Sequence, residues 1–249
     1  MLLSDFDYEL PEELIAQHPL EQRDASRMLI LDRATRTRED SQFELFPEYV
    51  RAGDVVVVNN TRVFPARLIG HREPSGGRVE VLLIRELEPG IWEALVRPAQ
   101  RLKVGARLRF GDSGLRAEVL ECSAKGVRRL RFETDGEESR PLEALLNEQG
   151  QTPLPHYIRR PAGESAADSE RYQTVFAREK GAIAAPTAGL HFTPKVISAL
   201  QARGVRVVEI TLHVGYGTFE PVRVENIEEH RVAPEFFQIE EQEIGRAHV

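Results

Sequence analysis

Two segments near the end of the sequence combine small residues with one histidine and a following aromatic residue. The first is GAIAAPTAGLHF, Gly181 to Phe192, and the second is TLHVGYGTFEPV, Thr211 to Val222. Unperturbed imidazole titrates at about pH 6.5, so His191 and His213 are candidates for proton transfer at neutral pH. Glycine lets a ligand approach main-chain N–H groups closely, so such loops suit an anion or a nucleoside. Two tight turns beside structural histidines explain the pattern equally well.

The residues between the two loops predict the elements that position them. Val196, Ile197 and Leu200 recur at helical spacing, and Gly204 is a C-terminal stop. The segment Val205 to Val214 is rich in β-branched residues and predicts a buried strand. A helix followed by a strand suits a βαβ-type layer, in which ligands bind at the C-terminal ends of the strands.

A second group of polar residues follows another predicted strand. Val55 to Val58 is a continuous apolar run, which predicts a strand buried on both faces. The run ends at Asn59-Asn60-Thr61-Arg62. Four polar side chains at the end of a buried strand indicate a functional site, although a turn whose asparagines bond the main chain is the alternative.

The middle of the chain changes to closely spaced strands without a helix. Six candidate strands are separated by turn residues, namely PARLIG, RVEVLLIREL, IWEALVRP, ARLRFG, LRAEVLEC and VRRLRFET. This pattern is typical of a small β-barrel or sandwich. We therefore predict an α/β fold, in which a layered α/β domain (1–62 and 141–249) carries an inserted small all-β barrel-like domain (63–140). The small polar segment Gly163 to Glu170 predicts a flexible surface loop.

Charge is distributed unevenly along the chain. The segment from Arg97 to Arg131 contains ten Lys or Arg and three Asp or Glu, so it carries a net charge of +7. The remainder therefore carries −14, since the net charge of the whole chain is −7. A basic surface on an acidic protein suits contacts with phosphate groups. The alternative is that the alternating arginines of Ala106 to Phe110 form the solvent face of a strand.

Composition narrows the cellular context. The chain has 41% hydrophobic and 29% charged residues, as is usual for a soluble globular protein. No apolar run reaches the roughly 18 residues of a membrane span, and the acidic N-terminus lacks a signal-peptide pattern. The single cysteine, Cys122, excludes an internal disulfide framework and gives no support to a zinc cluster. We expect a cytoplasmic protein that does not bind membranes and, without amphipathic heptads, is a monomer.

Six motifs occur in the order and spacing of a known family. They are NNTRVFPARL, GGRVEVLLIR, PLPHYIRRP, YQTVFA, APTAGLHF and TLHVGYGTFEPVRV. Together they resemble the S-adenosylmethionine:tRNA ribosyltransferase-isomerases of queuosine biosynthesis, over Phe6 to about Ile239. The alternatives from other classes are a non-catalytic tRNA-binding module and an inactive truncated fragment.

The resemblance implies a definite reaction. The ribosyl group of S-adenosylmethionine is transferred to 7-aminomethyl-7-deazaguanine at the wobble position of tRNA and isomerised, which gives epoxyqueuosine and releases adenine and methionine. The reaction begins with removal of a proton beside the sulfonium, whose charge stabilises the resulting ylide. The partners are thus tRNA and S-adenosylmethionine, a co-substrate, and we expect neither a cofactor nor a metal. The site needs a base, donors for the departing adenine and a dry pocket.

The resemblance also assigns roles to residues. For catalysis we expect His191 or His213 as the proton-transfer group, with Glu220 as an alternative base or orienting carboxylate. Residues expected to bind the nucleoside, the substrate base or a phosphate are Asn60, Arg62, Thr187, Gly189, Gly215, Tyr216 and Gly217. The residues expected to contact tRNA are Arg101, Lys103, Arg107 and Arg109.

The C-terminal part departs from the family pattern. After His230, where the family continues with Met-His-Ser-Glu, this chain has Arg231 and then Val-Ala-Pro-Glu. Two later family stretches, one with Gly-Thr-Thr and one with Asn-Phe-His, are absent. Glu243 to Val249 also match one translation of a common sequencing adapter. We therefore expect these seven residues not to be native and the reading frame to be cut.

Overall fold

The computed structural model describes residues 1–123, 126–134, 140–160 and 166–244. The chain divides into two compact units. The first comprises Met1–Arg62, Pro155–Pro161 and Glu170–Val249, and the second comprises Val63–Leu154 and Ala162–Ser169.

Among the described residues, ten strands precede the first α-helix, and α-helices and strands alternate only after it. The strands are β1 (Arg27–Asp32), β2 (Thr37–Gln42), β3 (Val55–Asn59), β4 (Thr61–Val63), β5 (Arg67–Glu73), β6 (Gly77–Glu88), β7 (Ile91–Arg97), β8 (Arg107–Phe110), β9 (Leu115–Cys122), β10 (Val127–Thr134), β11 (Gly150–Gln151), β12 (Glu179–Ala182), β13 (Arg206–His213) and β14 (Phe236–Gln238). The α-helices are α1 (Leu142–Gln149), α2 (Ala166–Arg171) and α3 (Pro194–Ala202).

The second unit contains a closed six-stranded barrel. Its antiparallel strands follow the order β5-β6-β7-β10-β9-β8, and pairing of β8 with β5 closes the ring. Alternate residues of each strand point inward and are fully buried, among them Leu68, Val81, Leu108 and Leu130. The six strands predicted from the sequence are confirmed, and closure leaves the barrel without an exposed sheet edge.

The segment after the barrel strands lies with the barrel. Residues 141–154 were assigned to the α/β domain from the sequence, but the structure places them in the second unit. Helix α1 packs on β5 and β10 through buried Leu145 and Leu146, and Gly150 pairs with Leu68 of β5. Burial of these leucines explains why α1 lies with the barrel, because an amphipathic helix needs an apolar partner surface.

A mixed three-stranded sheet forms the centre of the first unit. Its order is β14-β13-β3, with β3 parallel and β14 antiparallel to β13. Helix α3 covers it, burying Val196 and Leu200 against Val58 and Phe192. The prediction that β3 is buried on both faces is wrong, because Val57 is 47% exposed on the face opposite this cluster.

Two further predictions concern the remainder of the chain. The predicted loop from Gly163 to Glu170 is partly wrong, because α2 begins at Ala166; residues 163–165 lie outside the described residues. The prediction for Glu243 to Val249 also falls mostly outside them. Within the described ranges, no helix has the length and apolarity that crossing a membrane would require.

Candidate active site at the ends of two parallel strands

Parallel pairing of β3 with β13 brings two distant polar motifs together. Val55 lies opposite Arg206, and Asn59 lies opposite Ile210. Both strands therefore end at the same edge of the sheet, β3 in the Asn-Asn-Thr motif and β13 in Thr-Leu-His. In α/β proteins this is the edge at which ligands bind.

The two asparagines fix the geometry of this edge. Asn59 Nδ2 donates to the Leu212 carbonyl at 2.8 Å, and its Oδ1 accepts from the Leu212 amide at 3.1 Å. Asn60 Oδ1 accepts from the Thr211 hydroxyl at 2.8 Å. Asn59 thus bonds the main chain of β13, and Asn60 bonds a hydroxyl group of the same strand. Together they hold the ends of β3 and β13 in register.

His213 lies against Thr61 at this edge. Its Nδ1 is 2.7 Å from Oγ1 of Thr61, which is itself 3.4 Å from the Glu179 carbonyl of β12. A carbonyl only accepts, so the Thr61 hydroxyl can donate to it and accept from Nδ1–H of the imidazole. This arrangement satisfies all three groups and leaves the lone pair on Nε2. The assigned tautomer is the one a general base requires.

Small and flat neighbours surround the imidazole. The ring of Phe236 stacks on that of His213 with centroids 5.4 Å apart and planes inclined by 22°. Gly181 has a φ of +154°, and a Cβ there would lie 2.6 Å from His213 Nε2. Glycine is therefore required at 181 both for its backbone conformation and for space beside Nε2.

The electrostatic surroundings favour neutral imidazole. Burial lowers the pKa of His213 below its ordinary value of 6.5, and the nearby charge of Glu179 opposes this shift. Desolvation disfavours the protonated form, so burial is the cause of the net direction. At neutral pH the ring can accept a proton.

His191 has a different, more apolar environment. It ends a 3₁₀-helix, Thr187–His191, and its ring lies 5.4 Å from that of Phe43. Phe43 belongs in turn to an aromatic cluster with Phe46 and Phe192. These contacts match the structural role that the sequence left open for this histidine.

Close packing between two of the sequence motifs holds the loop that carries His191. Tyr172 is buried, which raises its pKa to about 12, and a hydrogen bond from the main chain of Ala185 partly offsets this. A Cβ at Gly189 would lie 2.9 Å from Thr174 Cγ2. Gly189 has no positive φ, so close packing against Thr174, rather than backbone conformation, requires glycine there.

The second glycine loop is a 3₁₀-helix over Tyr216–Phe219. The Gly215 amide donates to Glu235 Oε1 at 2.8 Å, and a Cβ at Gly217 would lie 3.5 Å from Ala233. Neither glycine has a positive φ. Glu220 follows the helix and is half-buried.

The other predicted binding residues lie in more open positions. Arg62 and Thr187 are exposed in the first unit. In the second unit, Arg101, Lys103 and Arg107 are exposed, and Arg109 forms an ion pair with Asp112 at 3.2 Å.

Sequence reasoning missed the neighbours that define His213. Thr61 was recognised only as part of a polar cluster, and Gly181, Glu179 and Phe236 had no assigned role. Thr61 lies 152 residues from His213 in the chain, and only the parallel pairing of β3 with β13 joins them. The one indication available from the sequence was that two predicted strands, β3 and β13, each end in polar residues.

Comparisons with known proteins agree with one another. The family described as "Queuosine biosynthesis protein" matches residues 3–248. An S-adenosylmethionine:tRNA ribosyltransferase-isomerase of Desulfitobacterium hafniense is 50% identical over 96% of this chain and 68% of its own length. One of Acetivibrio thermocellus is 47% identical over 99% of this chain and 70% of its own length.

A solved structure is also similar. The S-adenosylmethionine tRNA ribosyltransferase of Thermotoga maritima is 37% identical to this chain, with a TM-score of 0.34. The match covers 85% of this chain and 58% of that protein. The chain is thus shorter than the relatives that it resembles.

Proposed function

The chain belongs to the queuosine biosynthesis protein family, and we propose that it is an S-adenosylmethionine:tRNA ribosyltransferase-isomerase. It transfers the ribosyl group of S-adenosylmethionine to 7-aminomethyl-7-deazaguanine at the wobble position of tRNA and isomerises it to epoxyqueuosine. Adenine and methionine leave. The observation that carries the proposal is the identity of 46–50% to relatives that bear this name, over most of the chain.

In the proposed mechanism His213 is the proton-transfer group. Its Nε2 accepts the proton from the carbon beside the sulfonium, while the electron pair remains on that carbon as an ylide. Thr61 is a positioning residue, since its hydroxyl 2.7 Å from Nδ1 holds the ring and its tautomer. The lowered pKa supports this choice, because a base must be unprotonated before it acts.

The remaining residues are proposed for binding. Thr187, Gly189, Gly215, Tyr216 and Gly217 contact the nucleoside, and Asn60 and Arg62 position the substrate base or a phosphate. Glu220 and His191 are the alternative proton-transfer groups. S-adenosylmethionine is consumed as a co-substrate, and no separate cofactor or metal is part of the proposal.

The proposal also covers the fold class, the cellular location and the oligomeric state. We propose that the sheet β14-β13-β3 and α3 are part of a layered α/β domain. A tRNA substrate and the absence of a membrane-spanning helix from the described residues support a cytoplasmic location. We expect the protein to act as a monomer.

Adenine release tests the proposed function directly. The purified chain is incubated with S-adenosylmethionine and tRNA that carries the precursor base, and free adenine is measured by chromatography. We expect release that requires both substrates, with unmodified guanine at the wobble position as the control. S-adenosylhomocysteine as the product would instead indicate methyl transfer. Salt-dependent tRNA retention without adenine release would indicate a binding module.

A further inference from the structure

An open cavity of about 470 Å³ lies at one end of the barrel. Three turns of the second unit line it: the turn between β5 and β6, the turn after β7 and the segment before β8. Its charged lining residues are Arg72, Arg101, Lys103 and Glu73. Three cations against one carboxylate make the cavity a candidate anion site.

The fold prepares Arg72 for this role. Leu68 and Gly70 alternate inward along β5, so Arg72 continues the inward row at the mouth of the barrel. Its Nε donates to Ser75 Oγ at 2.8 Å and its Nη1 to the Arg101 carbonyl at 3.1 Å. These bonds connect two of the lining turns and hold the guanidinium in one orientation. No bond from Nη2 is found among the described residues.

Elsewhere on the barrel most basic side chains are neutralised or buried. Arg129 pairs with Glu121 at 3.2 Å, and Arg131 pairs with Glu118 at 2.7 Å. Arg128 is buried and donates to main-chain carbonyls. Much of the basic charge predicted as a patch is therefore already compensated.

The cavity is an exception to this pairing. Within the described part of the chain, neither Arg101 nor Lys103 forms an ion pair, and both side chains are exposed. The one carboxylate, Glu73, lies opposite Arg107 in the pairing of β5 with β8. A guanidinium held by two hydrogen bonds, with two uncompensated cations on the same lining, supplies the charge and the N–H donors that a phosphate group binds.

We propose that this cavity binds a backbone phosphate of the tRNA substrate. The identification of the ligand as RNA rests on the proposed function, whereas the preference for phosphate rests on the cavity itself. Arg72 supplies a fixed fork, and Arg101 and Lys103 supply mobile charges. Such contacts position a nucleic acid without reading its sequence.

Retention of tRNA on the full chain, measured against salt concentration without S-adenosylmethionine, tests the proposal. The variant is Arg101→Ala/Lys103→Ala, which alters only exposed side chains. The matched control is Arg85→Ala/Arg129→Ala, which removes two exposed barrel cations that are paired with acids. We expect about a tenfold loss of tRNA affinity, with a salt slope lower by about 1, in the cavity variant alone.

Two results would overturn the proposal. Equal loss in the control would show general attraction rather than a site. Unchanged tRNA affinity would exclude the contact, and titration with inorganic phosphate would then show whether the cavity is a small-anion site instead. Adenine release at saturating tRNA is measured separately: its absence from the unaltered chain would refute the proposed function, while the retention result would still decide the role of the cavity.

Discussion

Among single residues, the proposed chemistry depends most on the protonation state of His213. Burial favours the neutral ring, and the Thr61 hydroxyl 2.7 Å from Nδ1 can accept from Nδ1–H, which leaves the lone pair on Nε2. Gly181 leaves space beside that nitrogen. The contributions of Thr61 and Gly181 can each be removed separately by mutation.

The lowered pKa of His213 predicts a pH dependence of stability. Above about pH 6.5 the ring is neutral in both the folded and the unfolded chain. As the pH falls below this value, the unfolded chain binds a proton first, so the free energy of unfolding decreases until the folded pKa is passed. The slope from one such group is at most about 1.4 kcal/mol per pH unit. Urea denaturation at pH 7.5 and 5.5 should show a larger acid loss in the unaltered chain than in His213→Gln; a smaller one would contradict the shift.

Replacement of Thr61 tests its positioning role. Thr61→Val keeps the shape but removes the hydroxyl, and we expect kcat to fall about ten- to a hundredfold while KM for S-adenosylmethionine changes little. Thr61→Ser restores the hydroxyl and should recover most of the rate. A fall of equal size in both variants would show that the methyl packing of Thr61 matters rather than its hydrogen bond.

Gly181→Ala tests the space beside Nε2. The added methyl group would displace the imidazole, and the positive φ would add about 1–3 kcal/mol of strain. Gly53→Ala is the matched control, since its φ of +93° is also positive but a Cβ there contacts nothing within 4 Å. Both variants should lose stability in thermal denaturation, yet only Gly181→Ala should lose adenine release in the folded protein.

For single residues, the sequence indicated which side chains could do chemistry better than it indicated which of them are in contact. Both histidines and the polar Asn-Asn-Thr group were recognised from their residue types and neighbours. The separation of 152 residues between Thr61 and His213 hid their contact, because sequence patterns report local structure. Nor did the sequence show that Gly189 is required by close packing against Thr174.

At the scale of elements, the barrel strands were predictable and their closure was not. Alternating apolar residues and intervening turns identify each strand. The pairing of β8 with β5 depends on inward side chains that meet across the barrel, chiefly Phe110 and the space at Gly70. The parallel pairing of β3 with β13 was similarly hidden, because the whole barrel intervenes in the sequence.

Gly70→Ala tests closure of the barrel. A Cβ at Gly70 would lie 2.7 Å from Phe110 Cδ1 and 2.8 Å from the Arg109 carbonyl. Overpacking of a closed core costs about 1–3 kcal/mol, so we expect a loss of this size in urea denaturation. Gly77→Ala is the control, because its Cβ would meet only Ser75 Oγ at 3.8 Å. Equal stability of the two variants would show that the barrel end adapts without cost.

In the whole molecule, the proposed phosphate contact and the proposed catalytic site lie in regions of different charge. The chain is acidic overall, at −7, and the barrel carries a cavity with uncompensated cations. The first unit carries the histidine site. Net charge alone would have argued against an RNA substrate. An acidic protein can bind RNA where unpaired cations lie together, as they do in this cavity.

The rate of adenine release by His213→Gln, compared with His191→Gln and the unaltered chain, is the decisive test of His213 as the proton-transfer group. General-base catalysis contributes about 10²- to 10⁴-fold. We therefore predict that His213→Gln releases adenine at least about a hundredfold more slowly, while His191→Gln, which alters a ring packed on Phe43, retains most of the activity. Near-normal release by His213→Gln together with loss in His191→Gln would contradict the assignment.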